Sequence, residues 1–123
     1  KTKMLNVEFK NENFRWRFNL LDASGTPVSV ENVQALGVIF YGEFEKDVWL
    51  RCRWPEETDM HPIIKADDNS AFFIEVDPED TMRAPEGVII VEATYRIADD
   101  RFLSGYKQTI EKGKFMRIVN SRQ

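Results

Sequence analysis

The clearest pattern along this chain is an alternation of hydrophobic and polar residues with a period of two. Residues 14–20 read FRWRFNL, and residues 48–54 read VWLRCRW. Successive side chains of a β-strand point to opposite faces, so each segment predicts a half-buried strand with one apolar and one polar face. A helix would instead scatter the same aromatic residues around its circumference.

Further strands and turns follow from the β-branched and aromatic runs and the polar clusters between them. Strands are predicted at residues 33–44, 63–64, 71–76, 88–97, 102–110 and 114–119, the last two forming a hairpin across Glu111-Lys112-Gly113. Turns or loops are predicted at residues 24–27, 45–47, 55–62, 67–70 and 98–101. One helical turn is predicted after Asp77, which can cap it, with Pro78 at the first helical position.

About seven strands with at most one helical turn predict an all-β protein. A length of 123 residues suits one domain, so we expect a single β-sandwich domain over residues 1–123. The spacing of the strands favours an antiparallel immunoglobulin-like sandwich. The Cys-Trp-Cys signature of true immunoglobulin domains is absent, because Cys52 is the single cysteine. No intrachain disulfide can form, and the alternation predicts that Cys52 packs in the core.

Charge narrows the range of partners. The net charge is −4, which disfavours sequence-independent binding to nucleic acid. Residues 43–80 are acidic in balance and residues 102–123 are basic, an asymmetry that can orient docking onto a protein. No apolar run approaches the roughly 18 residues of a membrane-spanning helix. We therefore expect neither a nucleic-acid partner nor insertion into a membrane.

No catalytic, cofactor or metal site is predicted. The single histidine, His61, lies in a loop without a recognisable orienting group, and no nucleophile elbow or phosphate-binding glycine loop is present. With one histidine and one cysteine, an ordinary zinc site cannot be assembled. Asp67, Asp68 and Asn69 could contribute calcium ligands, but the EF-hand spacing is missing, so calcium binding at the acidic turns stays open.

Aromatic residues on the polar faces of strands are the better candidates for function. If Leu50 and Cys52 face the core, Trp49 faces outward with Arg51; the alternative is that a neighbouring element covers Trp49. Exposed aromatic rings form protein interfaces or stack on sugar rings. The predicted interface residues are Tyr41, Trp49, Arg51 and Phe73. Open sheet edges could also accept a strand from a partner.

Several segments together resemble the N-terminal domain of phage baseplate upper proteins. That family opens with an alternating strand and a D-x-x-G-x-P-V turn, which resembles residues 14–28 here, including Asp22, Gly25 and Pro27. A short turn before a long strand resembles residues 80–95. A final strand after a G-x-F-x-V-like step resembles residues 113–119. The resemblance covers nearly the whole chain, whereas the acidic loop at residues 55–62 departs from it.

The resemblance implies a non-enzymatic structural module of a phage or prophage tail, acting through protein–protein contacts and usually in an oligomer. It implies no catalytic residues and no cofactor. The expected location is the virion tail, or the bacterial cytoplasm before assembly. The alternative function is a carbohydrate-binding or adhesin-type β-sandwich of a bacterial surface protein, with a glycan as the partner. That alternative predicts two or three exposed aromatic rings in a row.

Overall fold

Two β-sheets account for most of the computed structural model, which describes residues 5–21 and 24–120. The strands are β1 (Asn6–Phe9), β2 (Phe14–Phe18), β3 (Val33–Gly42), β4 (Val48–Trp54), β5 (His61–Pro62), β6 (Ile64–Lys65), β7 (Phe72–Val76), β8 (Gly87–Ala98) and β9 (Tyr106–Val119). A 3-10 turn at Val30–Asn32 precedes β3, and the helix α1 (Pro78–Met82) connects β7 to β8. The all-β class predicted from the sequence is confirmed.

The larger sheet is mixed rather than purely antiparallel. Its six strands run in the order β1-β9-β8-β3-β4-β5, and the smaller sheet has the order β2-β7-β6. Both edge strands of the larger sheet are parallel to their neighbours, β1 to β9 and β5 to β4. All other pairs are antiparallel. Neither parallel edge strand is predicted from the sequence, because strands of four and two residues carry too little alternation to be distinguished from a loop.

The core lies between the two sheets, and aromatic rings form much of the contact. Trp16 on β2 is 8% exposed, whereas Arg15 and Arg17 beside it are exposed, as the alternation predicts. The Trp16 and Phe40 ring centroids are 5.0 Å apart, and Phe18 lies 6.3 Å from Phe40. These contacts join β2 of the small sheet to β3 of the large one.

Two register shifts in the large sheet each add an aromatic side chain to this core. Between β3 and β4, Phe40 pairs with Leu50 and the next residue, Tyr41, pairs with Val48. Trp49 is therefore the extra residue on β4. Between β8 and β9 the same type of shift leaves Phe115 as the extra residue. A β-bulge of this kind interrupts the strict alternation of faces. Both rings consequently pack against the core although the sequence alternation assigns Trp49 to the opposite side.

The predicted hairpin at the end of the chain is wrong. Residues 106–119 form one continuous strand, β9, which pairs with β8 from Ala98↔Tyr106 to Gly87↔Ile118. The turn lies earlier, at residues 99–105, and the segment Glu111-Lys112-Gly113 is inside the strand. These three residues are exposed, so their polar character reflects contact with water and not a change of chain direction.

The other predicted turns are mostly in place. Gly25 has φ +84°, in the left-handed region that favours glycine. Asp22, which belongs to the resemblance motif, lies outside the described residues. Asp77 caps α1 by accepting a hydrogen bond from the Asp80 N–H at 2.9 Å, with Pro78 in the first turn, as predicted. The helix places Thr81, fully buried, where its hydroxyl accepts from the Asn11 N–H at 3.0 Å.

No helix among the described residues is both long enough and apolar enough to cross a membrane.

Candidate interaction surfaces

Tyr41 and Arg51 lie on the outer face of the large sheet, away from the smaller one. Phe40 is fully buried, and its neighbour Tyr41 points the other way and is half-buried. The Lys112 Nζ atom is 5.8 Å from the centre of the Tyr41 ring. A hydrogen bond to Tyr41 is the main cause that raises the pKa of Lys112. Arg51 is exposed and stands opposite Ile39 in the register.

Phe73 lies on the outer face of the small sheet, on the far side of the molecule from Tyr41. It pairs with Arg17 on β2 and with Ile64 on β6. The Arg15 guanidinium carbon sits 4.0 Å from the centre of the Phe73 ring, close enough for a cation–π contact. Arg15 also forms an ion pair with Glu75 at 3.1 Å. The ring is therefore partly covered by a cation of its own chain.

The expectation that Trp49 faces outward is wrong. Its ring centroid lies 6.4 Å from that of Trp16 and 6.3 Å from that of Phe40, both in edge-on geometry. Its Nε1–H donates to the Asp80 carbonyl oxygen at 2.8 Å, which ties β4 to α1. The side chain is half-buried. The bulge that turns this residue inward arises from pairing with β3, which the local sequence pattern does not predict. The alternative that a neighbouring element covers Trp49 matches the structure.

The predicted interface residues therefore do not form one surface. Tyr41 and Arg51 share the outer face of the large sheet, Phe73 lies on the opposite outer face, and Trp49 packs against the core. Tyr41, Trp49 and Phe73 do not form a row of exposed rings of the kind that the carbohydrate-binding alternative predicts. Whether any of the four contacts a partner stays a prediction.

Two other hydrophobic side chains are far more exposed, and they lie at opposite ends of the large sheet. Phe44, in the turn between β3 and β4, is 94% exposed, and Leu103, in the turn between β8 and β9, is fully exposed. The register of β3 with β8 shows that the two turns lie at opposite ends of these strands. Val33, at the start of β3, pairs with Ile97 near the Leu103 turn, whereas Gly42, at the end of β3, pairs with Ile89.

Both turns are held in shape by hydrogen bonds, so neither side chain is exposed for lack of structure around it. In the Leu103 turn the Asp99 N–H donates to the Gly105 carbonyl oxygen at 2.9 Å. The Arg101 guanidinium donates hydrogen bonds to both carboxylate oxygens of Asp99, at 3.0 and 2.7 Å. These hydrogen bonds hold the pKa of Asp99 at about 2.

In the Phe44 turn, the Glu45 N–H donates to the Gly42 carbonyl oxygen at 3.0 Å. A Cβ atom at Gly42 would lie 2.7 Å from the Glu45 Cγ and 3.0 Å from the Pro85 Cβ, so any larger residue at this position would displace these side chains. Neither Phe44 nor Leu103 is among the interface residues predicted from the sequence. The available signal was a large apolar residue inside an otherwise polar turn, between Glu43 and Glu45 in one case and between Arg101 and Ser104 in the other.

The imidazole of His61 contacts a backbone carbonyl group, and the thiol of Cys52 is buried. The Nε2 atom of His61 lies 2.6 Å from the Glu75 carbonyl oxygen. Cys52 is 2% exposed, as predicted, and desolvation by burial raises the pKa of its thiol to about 12. A thiol with that pKa is protonated at neutral pH and is a poor nucleophile.

The acidic turn at residues 67–70 binds its own backbone. Asp68 accepts a hydrogen bond from the Ser70 N–H at 3.0 Å, and hydrogen bonds to Ser70 lower the pKa of Asp68. Within residues 5–21 and 24–120, no three His, Cys, Asp or Glu side chains are grouped closely enough to hold a metal ion.

Comparison with family models, with curated proteins and with solved structures finds no match to the chain. The resemblance to baseplate upper proteins therefore stays a prediction.

Proposed function

We propose that the chain is a non-enzymatic connecting module that binds protein partners at its two ends. The observation that carries the proposal is the placement of Phe44 and Leu103, exposed on structured turns at opposite ends of the large sheet. Burying one such side chain stabilises a complex by roughly 1.5–3 kcal/mol. An apolar anchor on a preorganised turn loses little conformational entropy on binding, which is the behaviour of interface hot spots.

The kind of assembly is proposed from the resemblance. A module that contacts one protein at each end suits a phage or prophage tail, where a baseplate component joins neighbouring parts. On this proposal the two sheets form an immunoglobulin-like sandwich, and the protein resides in the virion tail, or in the bacterial cytoplasm before assembly. The proposal assigns the chain no catalytic residue, cofactor or metal.

Site-specific photo-crosslinking tests the connector function. A benzophenone amino acid replaces Phe44 in one variant and Leu103 in another, and each variant is irradiated in cells of the natural source. We expect discrete adducts with one partner protein from each position, and different partners from the two ends. Glu56, exposed in a polar loop, is the control position. Adduct patterns at 44 and 103 no different from those at 56 would contradict the proposal.

The carbohydrate-binding alternative keeps one observation in its favour. Phe73 lies in a shallow depression together with Arg15, Arg17 and Asp67, a mixture of an aromatic ring and polar groups that sugars can contact. A broad glycan array with the chain and with Phe73→Ala tests it. Binding that is lost in Phe73→Ala would support the alternative, and an array without binding would reject it.

A further inference from the structure

The longest open strand edge of the described structure belongs to β9. On one side β9 pairs with β8 from Tyr106 to Ile118. On the other side β1 pairs only with Met116–Val119, so no described strand pairs with residues 106–115. Ten residues of extended strand span about 33 Å. An edge of this length offers its outward backbone N–H and C=O groups to another strand.

We propose that this edge pairs with the same edge of a second copy of the chain, antiparallel about a two-fold axis that passes through Thr109. Lysines on an edge strand oppose indiscriminate pairing. One face of β9 carries two charged side chains of opposite sign, Lys107 and Glu111, which lie two residues on either side of Thr109. A two-fold axis at Thr109 therefore places Lys107 opposite Glu111 of the second copy, and repeats that ion pair on the other side of the axis.

Competing registers lack this match. A two-fold axis normal to the sheet places the outer faces of the two copies on the same side of the joined sheet. Each possible register is then defined by the residue of β9 through which the axis passes, and neighbouring registers differ by one residue. An axis at Ile110 places Glu111 opposite Thr109, with no ion pair. An axis at Glu111 places two carboxylates directly opposite each other, which is unfavourable. The charge pattern thus selects the register centred on Thr109.

The side chains on the outer face also suit this register. Ile110 is 62% exposed, and it becomes a diagonal neighbour of Ile110 in the second copy across the axis. Lys112, which contacts Tyr41 of its own chain, stands opposite the uncharged Tyr106 of the second copy, so no like charges meet there. On the inner face, Glu111 is already positioned at the edge because its carboxylate accepts a hydrogen bond from the Tyr95 hydroxyl at 3.1 Å.

A charge swap followed by sedimentation velocity tests the pairing. The full 123-residue chain should form dimers. Lys107→Glu places two pairs of like charges across the axis, and should weaken dimerisation by at least about tenfold. Glu111→Lys should do the same. The double variant Lys107→Glu/Glu111→Lys restores both ion pairs in reverse, and should recover dimerisation to within about threefold of the unchanged chain. Melting temperatures of all variants establish that each one is folded.

A disulfide trap fixes the position of the axis. Residues directly opposite each other in an antiparallel pair have Cα atoms about 4.5–5.5 Å apart, within the range of a disulfide. Under mild oxidation Thr109→Cys should therefore cross-link two copies. Gln108→Cys is the matched control, because diagonal neighbours at about 7–8 Å are too far apart to be bridged. The natural Cys52 is buried and does not compete.

Two results would overturn the inference. One is a chain that stays monomeric up to about 1 mM, where even weak pairing would be detected. The other is a dimer that survives Lys107→Glu and gives no cross-link through Thr109→Cys, because a different surface would then join the copies. The β9 edge is separate from the Phe44 and Leu103 turns. Either result therefore leaves the connector function to its own crosslinking test.

Discussion

Trp49 and Phe115 are the extra residues of two separate strand irregularities, and both rings pack edge-on against Trp16. The centroid distances to Trp16 are 6.4 Å from Trp49 and 5.4 Å from Phe115. Trp49 is on β4 and Phe115 is on β9, so the small sheet inserts one indole between rings from two strands of the large sheet. The aromatic core depends on two places where the strands depart from regular pairing.

Substitution of Trp49 should reduce stability. Trp49→Ala removes ring contacts with Trp16 and Phe40, and we expect a loss of about 2–3 kcal/mol, below the usual cost of a fully buried tryptophan because this side chain is half-buried. Trp49→Phe keeps a ring and removes the hydrogen bond to the Asp80 carbonyl, at a cost of about 1 kcal/mol. Urea unfolding measures both. A loss under about 0.5 kcal/mol for Trp49→Ala, the range of surface substitutions, would show that the ring is not part of the core.

Thr81 should be intolerant of losing its hydroxyl although the side chain is small. The oxygen accepts from the Asn11 N–H at 3.0 Å and lies 2.9 Å from the Glu12 carbonyl oxygen, to which it can donate. Thr81→Val keeps the shape and leaves these backbone groups without that partner, which costs about 1–3 kcal/mol. Thr81→Ser keeps the hydroxyl and loses one methyl, about 0.8 kcal/mol. A loss below about 0.5 kcal/mol for Thr81→Val, measured by urea unfolding, would contradict a role for the hydroxyl in stability.

Cys52 should react slowly in the folded chain and make stability fall at high pH. Its pKa is about 12 when folded, against 9.0 for an ordinary thiol. Between these values the unfolded chain loses the proton and the folded chain keeps it, so the stability present below pH 9 declines as pH rises toward 12.

The check compares the unchanged chain with Cys52→Ala from pH 8 to pH 11. The difference in unfolding free energy between the two should shrink with pH, and a thiol reagent should label the native chain only after denaturant is added. Rapid labelling of the folded chain at pH 8 would contradict the burial of this side chain.

Phe44 and Leu103 should be dispensable for folding. Each is almost fully exposed, so Phe44→Ser and Leu103→Ser should change the unfolding free energy by less than about 0.5 kcal/mol. Thermal unfolding provides the measurement, with Phe40→Ser as a destabilised reference. If a serine at 44 or 103 destabilised the fold by more than about 1 kcal/mol, that side chain would have a structural role and would lose its claim as a binding anchor.

Sequence alternation predicted the parts of the fold where the pairing is regular. Residues 14–18 and 50–52 show the predicted faces, and Asp77 with Pro78 marks the start of α1. These features are local, because side-chain direction in a strand and capping of a helix depend on neighbouring residues.

The failures depend on partners that are distant in sequence. Trp49 turned inward because β4 carries a bulge opposite β3, and Glu111-Lys112-Gly113 continues a strand because β8 pairs with it. Neither the bulge in β4 nor the continuation of β9 can be predicted from the local sequence pattern. The same holds for the candidate site, since the separation of Phe44 from Leu103 follows only from the order and register of the strands.

The parallel pairing of β1 with β9 gives the molecule a distinct response to mechanical load. Tension that enters through Asn6 and leaves through Val119 pulls the two strands in opposite directions along their length. The four register positions from Asn6↔Met116 to Phe9↔Val119 then bear the load together in shear and do not open one at a time like a zipper. Resistance to pulling is set by the unfolding rate and not by equilibrium stability. Under traction along its own chain, this structure should yield at a higher force than its four-residue edge strand suggests.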